Sequence, residues 1–138
     1  MATCEWAILC DYAFQDIGRK SCLIGIFDRI FAARVPATHH QAAVVIKLVG
    51  NPQERVQIRL AISRPTGETL AEVTGTAQLS DAGTLEQGLN LGNLPLPDFG
   101  IYAIKIFLGD APDPAKMITF TVTRPPQPPS SPSLPPQA

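Results

Sequence analysis

Charge is scarce in this sequence, and none of it is concentrated. Of 138 residues 17% are charged, the net charge is -1, and among eleven Lys and Arg only Arg19 and Lys20 are adjacent. Neutralising phosphates takes a basic stripe, so neither nucleic acid nor an anionic membrane is an expected partner. Long apolar runs are missing too, which excludes a transmembrane helix. Glu5 and Asp11 interrupt the apolar opening and no basic stretch precedes it, so no signal peptide is expected. Cysteine is limited to Cys4, Cys10 and Cys22, an odd number that argues against a secreted disulfide framework. The expected setting is the reduced cytoplasm.

The motifs of common chemistries are equally sparse. Cys4, Cys10, Cys22, His39 and His40 supply metal-ligating atoms, but no C-x-x-C is present and no His pair lies three to five residues apart. Cys4 and Cys10, six residues apart on one strand, are ~20 Å from each other when extended. They can share neither a metal ion nor a disulfide. No G-x-S-x-G elbow and no phosphate-binding glycine loop leading into a helix occurs. His39 and His40 read as a solvated loop pair downstream of Asp28, short of the converging set that catalysis needs. No cofactor, metal or catalytic residue is assigned, and a Cys/His-dependent enzyme is the weakest reading.

What the chain does have is proline and two-residue periodicity. Seven of its fourteen prolines fall in the last fourteen residues, and the others lie between apolar runs. That placement spares the strand interiors, where proline would remove a ladder donor. Val56, Ile58, Leu60 and Ile62 alternate with more polar residues, as do Ile118, Phe120 and Val122; Val44, Ile46, Leu48 and Tyr102, Ile104, Ile106 form further inward sets. Pro65-Thr66-Gly67 and the 109–113 turn read as hairpin connections. Between Leu70 and Val73 the parity slips, which predicts a bulge or a change of sheet.

The stretch from Leu94 to Val122 narrows the class. A Pro-rich corner followed by Gly100-Ile101-Tyr102 opens a strand that hairpins into a final one. Immunoglobulin-like sandwiches end in this way, with a corner tyrosine whose hydroxyl bonds upstream backbone. The expected fold is therefore all-β: an immunoglobulin-like antiparallel sandwich of seven to eight strands within residues 1–124. Tyr102 is its structural corner, with its hydroxyl near residues 94–98. From Pro125 to Ala138 an uncharged Pro-rich tail is expected, disordered or polyproline-like and reaching ~43 Å.

The first 32 residues read as a hairpin with an unusually apolar second face. Strand parity groups Cys4, Trp6, Ile8, Cys10 and Tyr12 with the core, and leaves Leu9, Leu23, Phe27 and Phe31 opposite them as a candidate partner surface. Either the loop at 32–41 or a second chain would cover those four. Asp11, Asp28 and Arg29 form a candidate polar spot, with Asp11 and Arg29 as a cross-strand ion pair if the register allows. Cys10-Asp11-Tyr12-Ala13 and the octapeptide Leu23–Ile30 resemble the opening of a small bacterial family known only as a domain of unknown function. Leu89–Leu94 and Gly100-Ile101-Tyr102 are similar to its second half. The resemblance covers residues 3 to about 123, implies a compact β-sandwich and brings no site residues with it.

The function expected from these features is a non-enzymatic protein-interaction or structural module that meets a protein partner, or its own copy, through the N-terminal hairpin. A small-ligand or carbohydrate-binding sandwich is the alternative. The single tryptophan, Trp6, counts against sugar because its parity turns it inward.

Overall fold

The structure, a computed structural model, describes residues 1–126. The expected Pro-rich tail lies outside the described residues from position 127 onward. Nine strands run in chain order as β1 (Thr3–Gln15), β2 (Ser21–Ile26), β3 (Arg29–Phe31), β4 (Ala37–Val49), β5 (Arg55–Ser63), β6 (Thr69–Gln78), β7 (Thr84–Leu96), β8 (Gly100–Leu108) and β9 (Lys116–Thr123). The described residues contain no helix, so none is long and apolar enough to cross a membrane.

The strands form two sheets, one ordered β2-β1-β4-β7 and the other β3-β9-β8-β5-β6. Alternating apolar residues from both meet in one core. Val44, Ile46 and Leu48 come from the first sheet, and Leu60, Ile62, Tyr102, Ile104, Ile106, Phe120 and Val122 from the second. The expectation of seven to eight strands, all antiparallel, needs correction. Nine are present among the described residues, and β3 runs parallel to β9, with Ile30 opposite Val122. Three residues are too few to show a period, so β3 left no trace in the sequence pattern. The slip in β6 is a bulge: Ile62 faces Ala71 while Ser63 faces Thr69, leaving Leu70 as the extra residue.

A network of bonds fixes the corner between β7 and β8. The buried Tyr102 hydroxyl donates to the Asp98 carbonyl at 2.8 Å and accepts from the Asp98 N–H at 2.9 Å. Its ring stacks on Phe120 with centroids 5.0 Å apart. The Asp98 carboxylate accepts from Arg64 Nε at 2.8 Å, tying the corner to the end of β5. Gly100, at φ 127°, lies where a Cβ would come within 3.0 Å of Pro65. Glycine alone suits that backbone and that approach.

Two predictions follow from these contacts. Tyr102→Phe leaves both polar atoms of the Asp98 peptide without the hydroxyl, so urea unfolding should show a loss of about 1 kcal/mol or more. A variant as stable as the parent would contradict this. The second concerns Glu54, whose carboxylate accepts from Asn51 N–H and Ala2 N–H, both at 3.0 Å. These bonds, Asn51 first, hold its pKa below the usual carboxylate value. A lowered pKa in the folded state stabilises the protein above the unfolded-state value, and the gain is lost as pH falls through the folded one. Glu54→Gln should be less stable than the parent near neutrality and converge with it in acid, as read from melting temperature against pH.

Candidate functional site

The first sheet is unusual in being apolar on its outer face. Cys10, Ala43 and Val45 form a second buried cluster there, joined by Trp6, Ala13 and Leu23. What covers it is the β1–β2 hairpin itself. β2 and β7 are opposite edges of the sheet, three spacings or ~14 Å apart. Yet the Ser21 hydroxyl donates to the Glu86 carboxylate on β7. The hairpin end therefore bends back and straps across the outer face.

The bend sits at Asp11 and Gly25, between the Cys10–Ile26 and Tyr12–Ile24 pairs. Gly25 has φ 72°, and a Cβ there would lie 2.6 Å from the Asp11 carboxylate. That carboxylate instead approaches His39 Nε2 at 3.3 Å, and the imidazole packs against Phe27 with ring centroids 5.3 Å apart. Beyond the bend the alternation restarts with Ala13 and Leu23 against the sheet. Their neighbours Tyr12, Phe14 and Ile24 are consequently turned to solvent, 53%, 52% and 56% exposed, with Ile17 fully exposed at the tip.

The four residues expected as one partner surface are thus dispersed. Leu9 is buried in the main core and Leu23 joins the outer cluster. Phe27 packs against the main core, and of the four only Phe31 is exposed, on β3 in the other sheet. The 32–41 stretch is not the cover over the outer cluster, since β4 already begins at Ala37. The polar spot is dispersed as well. Asp11 meets His39, which belongs to β4 and not to a loop, while Asp28 and Arg29 are exposed where the chain crosses to β9. Arg29 forms no ion pair among the described residues. Tyr102 is the corner residue described above, remote from the hairpin.

Trp6 and Cys10 need the same correction, while Cys4 stays in the core as its parity implied. A register shift between Cys4 and Trp6 reverses the alternation of β1. Cys4 falls in the main core, whereas Trp6 lies with Cys10 on the outer face. There Trp6 stands beside Lys47, which pairs in turn with Glu86 across β4 and β7. Between this row and the hairpin turn lies an open cleft of about 1000 Å³, lined by Trp6, Ile8, Leu23 and Ile26 and edged by Arg19, Lys20, Ser21, Lys47 and Glu86.

Burial pushes the Cys4 and Cys10 thiols up, and for Cys10 the charge of Asp11 adds to the shift. Thiols held protonated are poor nucleophiles and poor metal ligands. Among the described residues no three His, Cys, Asp or Glu side chains converge on a point.

A family model described as a family of unknown function (DUF6941) matches residues 5–123. The chain belongs to this family. The match takes in all nine strands apart from the first two residues of β1, and so includes the strap, the cleft and the corner. No curated protein matches the chain. The function of this DUF6941 domain therefore has to be argued from its own geometry.

The exposed face was missed because β1 was read with unbroken parity. A usable signal was present: Tyr12 and Phe14 share parity on one arm, as Cys22 and Ile24 do on the other, around a glycine-containing bend. The strap makes a prediction about thiols. Cys22 is partly exposed, while Cys4 and Cys10 are buried. A chromogenic disulfide reagent should modify one thiol quickly in the native protein, and Cys22→Ser should abolish that phase. A second fast thiol that is lost in Cys10→Ser would mean that the outer cluster is not covered.

Proposed function

We propose that this DUF6941 domain is a non-enzymatic, cytoplasmic interaction module whose docking face is the outer side of the β1–β2 hairpin, and that the occupant is a second copy of the chain. The observation that carries this reading is the solvent-facing set Tyr12, Phe14 and Ile24 at the strap. With Ile17, their exposed area is roughly 500 Å² per chain, more than half of the ~800 Å² that each partner buries in a standard interface. A self-pairing face must limit contact with its own charge, and Tyr12, Phe14 and Ile24 themselves are uncharged. β2 is also an edge strand whose six residues include no charge and no proline, the usual protections against pairing. Antiparallel pairing of two β2 edges about a twofold axis would extend the sheet and bring the apolar residues together.

We also read the sandwich as immunoglobulin-like. The run β9-β8-β5-β6 follows the G-F-C-C′ order of such domains, and β1-β4-β7 resembles A-B-E. Tyr102, at the start of the strand equivalent to F, supports the same assignment. Domains of this kind serve many functions, so the interaction reading rests on the hairpin and not on the fold.

Ile24→Lys tests the docking face, because the residue is exposed and its replacement should leave the fold intact. By analytical ultracentrifugation the parent should sediment as a dimer and the variant as a monomer of unchanged melting temperature. A strictly monomeric parent would rule out self-association through this face.

A further inference from the structure

The cleft beneath the hairpin turn shares Ser21, Leu23 and Ile26 with the β2 edge, but its floor at Trp6 and its cations at Arg19 and Lys20 take no part in the self-association reading. We propose that it is a binding site for a small amphipathic organic anion, held by its apolar body on Trp6 and by its charged head at Arg19 and Lys20.

Three observations carry this. The first is the lining. Trp6, Ile8, Leu23 and Ile26 provide an apolar floor, and a volume of about 1000 Å³ is at the upper end of small-ligand sites. Ile26 stays 64% exposed although it belongs to this floor, so the chain's own residues do not fill the space. Such a mixture of an aromatic wall and a few polar groups at one end suits a ligand with two chemically different ends.

The second is the charge. The rim carries three cations, Arg19, Lys20 and Lys47, against the single carboxylate of Glu86. Lys47 Nζ is engaged by Glu5 at 3.1 Å, and Glu86 accepts from Ser21. Asp16, the acid nearest in the turn, spends one oxygen on the Lys20 backbone N–H at 2.9 Å. Neither Arg19 nor Lys20 has a carboxylate within ion-pair distance of its side chain among the described residues. The cationic end of the cleft is therefore the uncompensated one, and an anion there gains more than a neutral head would.

The third is the placement of the turn. Ser21 to Glu86 pins the strap to β7, so the positions that follow Arg19 and Lys20 are fixed over the Trp6–Lys47–Glu86 row. Arg19 itself has φ 62°, a left-handed residue that shapes the turn above the cleft. The cations are thereby set above an indole, with an apolar wall below them.

The single tryptophan makes the test direct, since Trp6 emission reports only on this cleft. The full chain is titrated with octanoate and with octan-1-ol, following Trp6 emission and the heat of binding. Octanoate should bind and shift the emission, and octan-1-ol should bind at least roughly tenfold more weakly. The double variant Arg19→Asn, Lys20→Glu should weaken octanoate by a similar factor; asparagine tolerates the left-handed backbone at position 19. Ile24→Lys, on the opposite side of the hairpin, should bind octanoate like the parent even where it has lost self-association. Three results would overturn the proposal: no emission change up to roughly 5 mM octanoate, equal binding of acid and alcohol, or an unaffected double variant.

Discussion

β4 is apolar on both of its faces, and most of this architecture answers to that one constraint. Ala42, Val44, Ile46 and Leu48 point into the main core, while Ala43 and Val45 are equally buried on the other side. An antiparallel sheet at the surface normally keeps one face polar and wet. Here the second face must be covered, and the chain uses its own first hairpin to do so. Bending that hairpin requires the left-handed Gly25 against Asp11, pins Ser21 to Glu86, and turns Tyr12, Phe14 and Ile24 outward. Covering one apolar surface thus creates another. The cleft at Trp6 is the part of the outer face that the strap spans without filling.

The opposite end of the molecule is organised by polar contacts. Arg64, Asp98 and Tyr102 link the turn after β5 to the corner before β8, so the connection that crosses from the first sheet to the second is fastened to the second by specific bonds. No buried side-chain nitrogen or oxygen is left without a partner among the described residues. The hairpin rests on two packed side chains, Ala13 and Leu23, and one hydroxyl–carboxylate bond.

Where local pattern decides structure, the sequence was readable. The alternation of β5, β8 and β9, the glycine before Tyr102 and the proline breaks all reflect backbone rules that act over a few residues, except that Pro95 lies within β7, an edge strand. The irregularity near Leu70 was visible as a parity slip, although only the pairing with β5 reveals which residue is extra. The hairpin was not readable, because its side-chain directions depend on two events set by distant partners. One is the register shift against β4 between Cys4 and Trp6; the other is the bend at Asp11. Each moves apolar residues from one face to the other, and strand period two converts a one-residue error into a complete inversion. For that reason Trp6 was assigned to the core, and Leu9, Leu23, Phe27 and Phe31 were grouped on one face. The meeting of Asp11 with His39, 28 residues away, has no local signature either.

The short parallel strand β3 bears on how the chain is made. β3 is paired only with β9, so residues 29–31 wait for residues 116–123 before they have any ladder at all. During synthesis the first sheet can assemble as soon as β7 has emerged, but the second lacks the strand between β3 and β8 until Lys116–Thr123 is available. Until then the second sheet is incomplete, with Ile30, Tyr102 and Ile104 still short of their neighbours on the last strand. In that interval β8 and the 29–31 segment both present unpaired strand edges, the kind of surface on which a nascent chain mispairs.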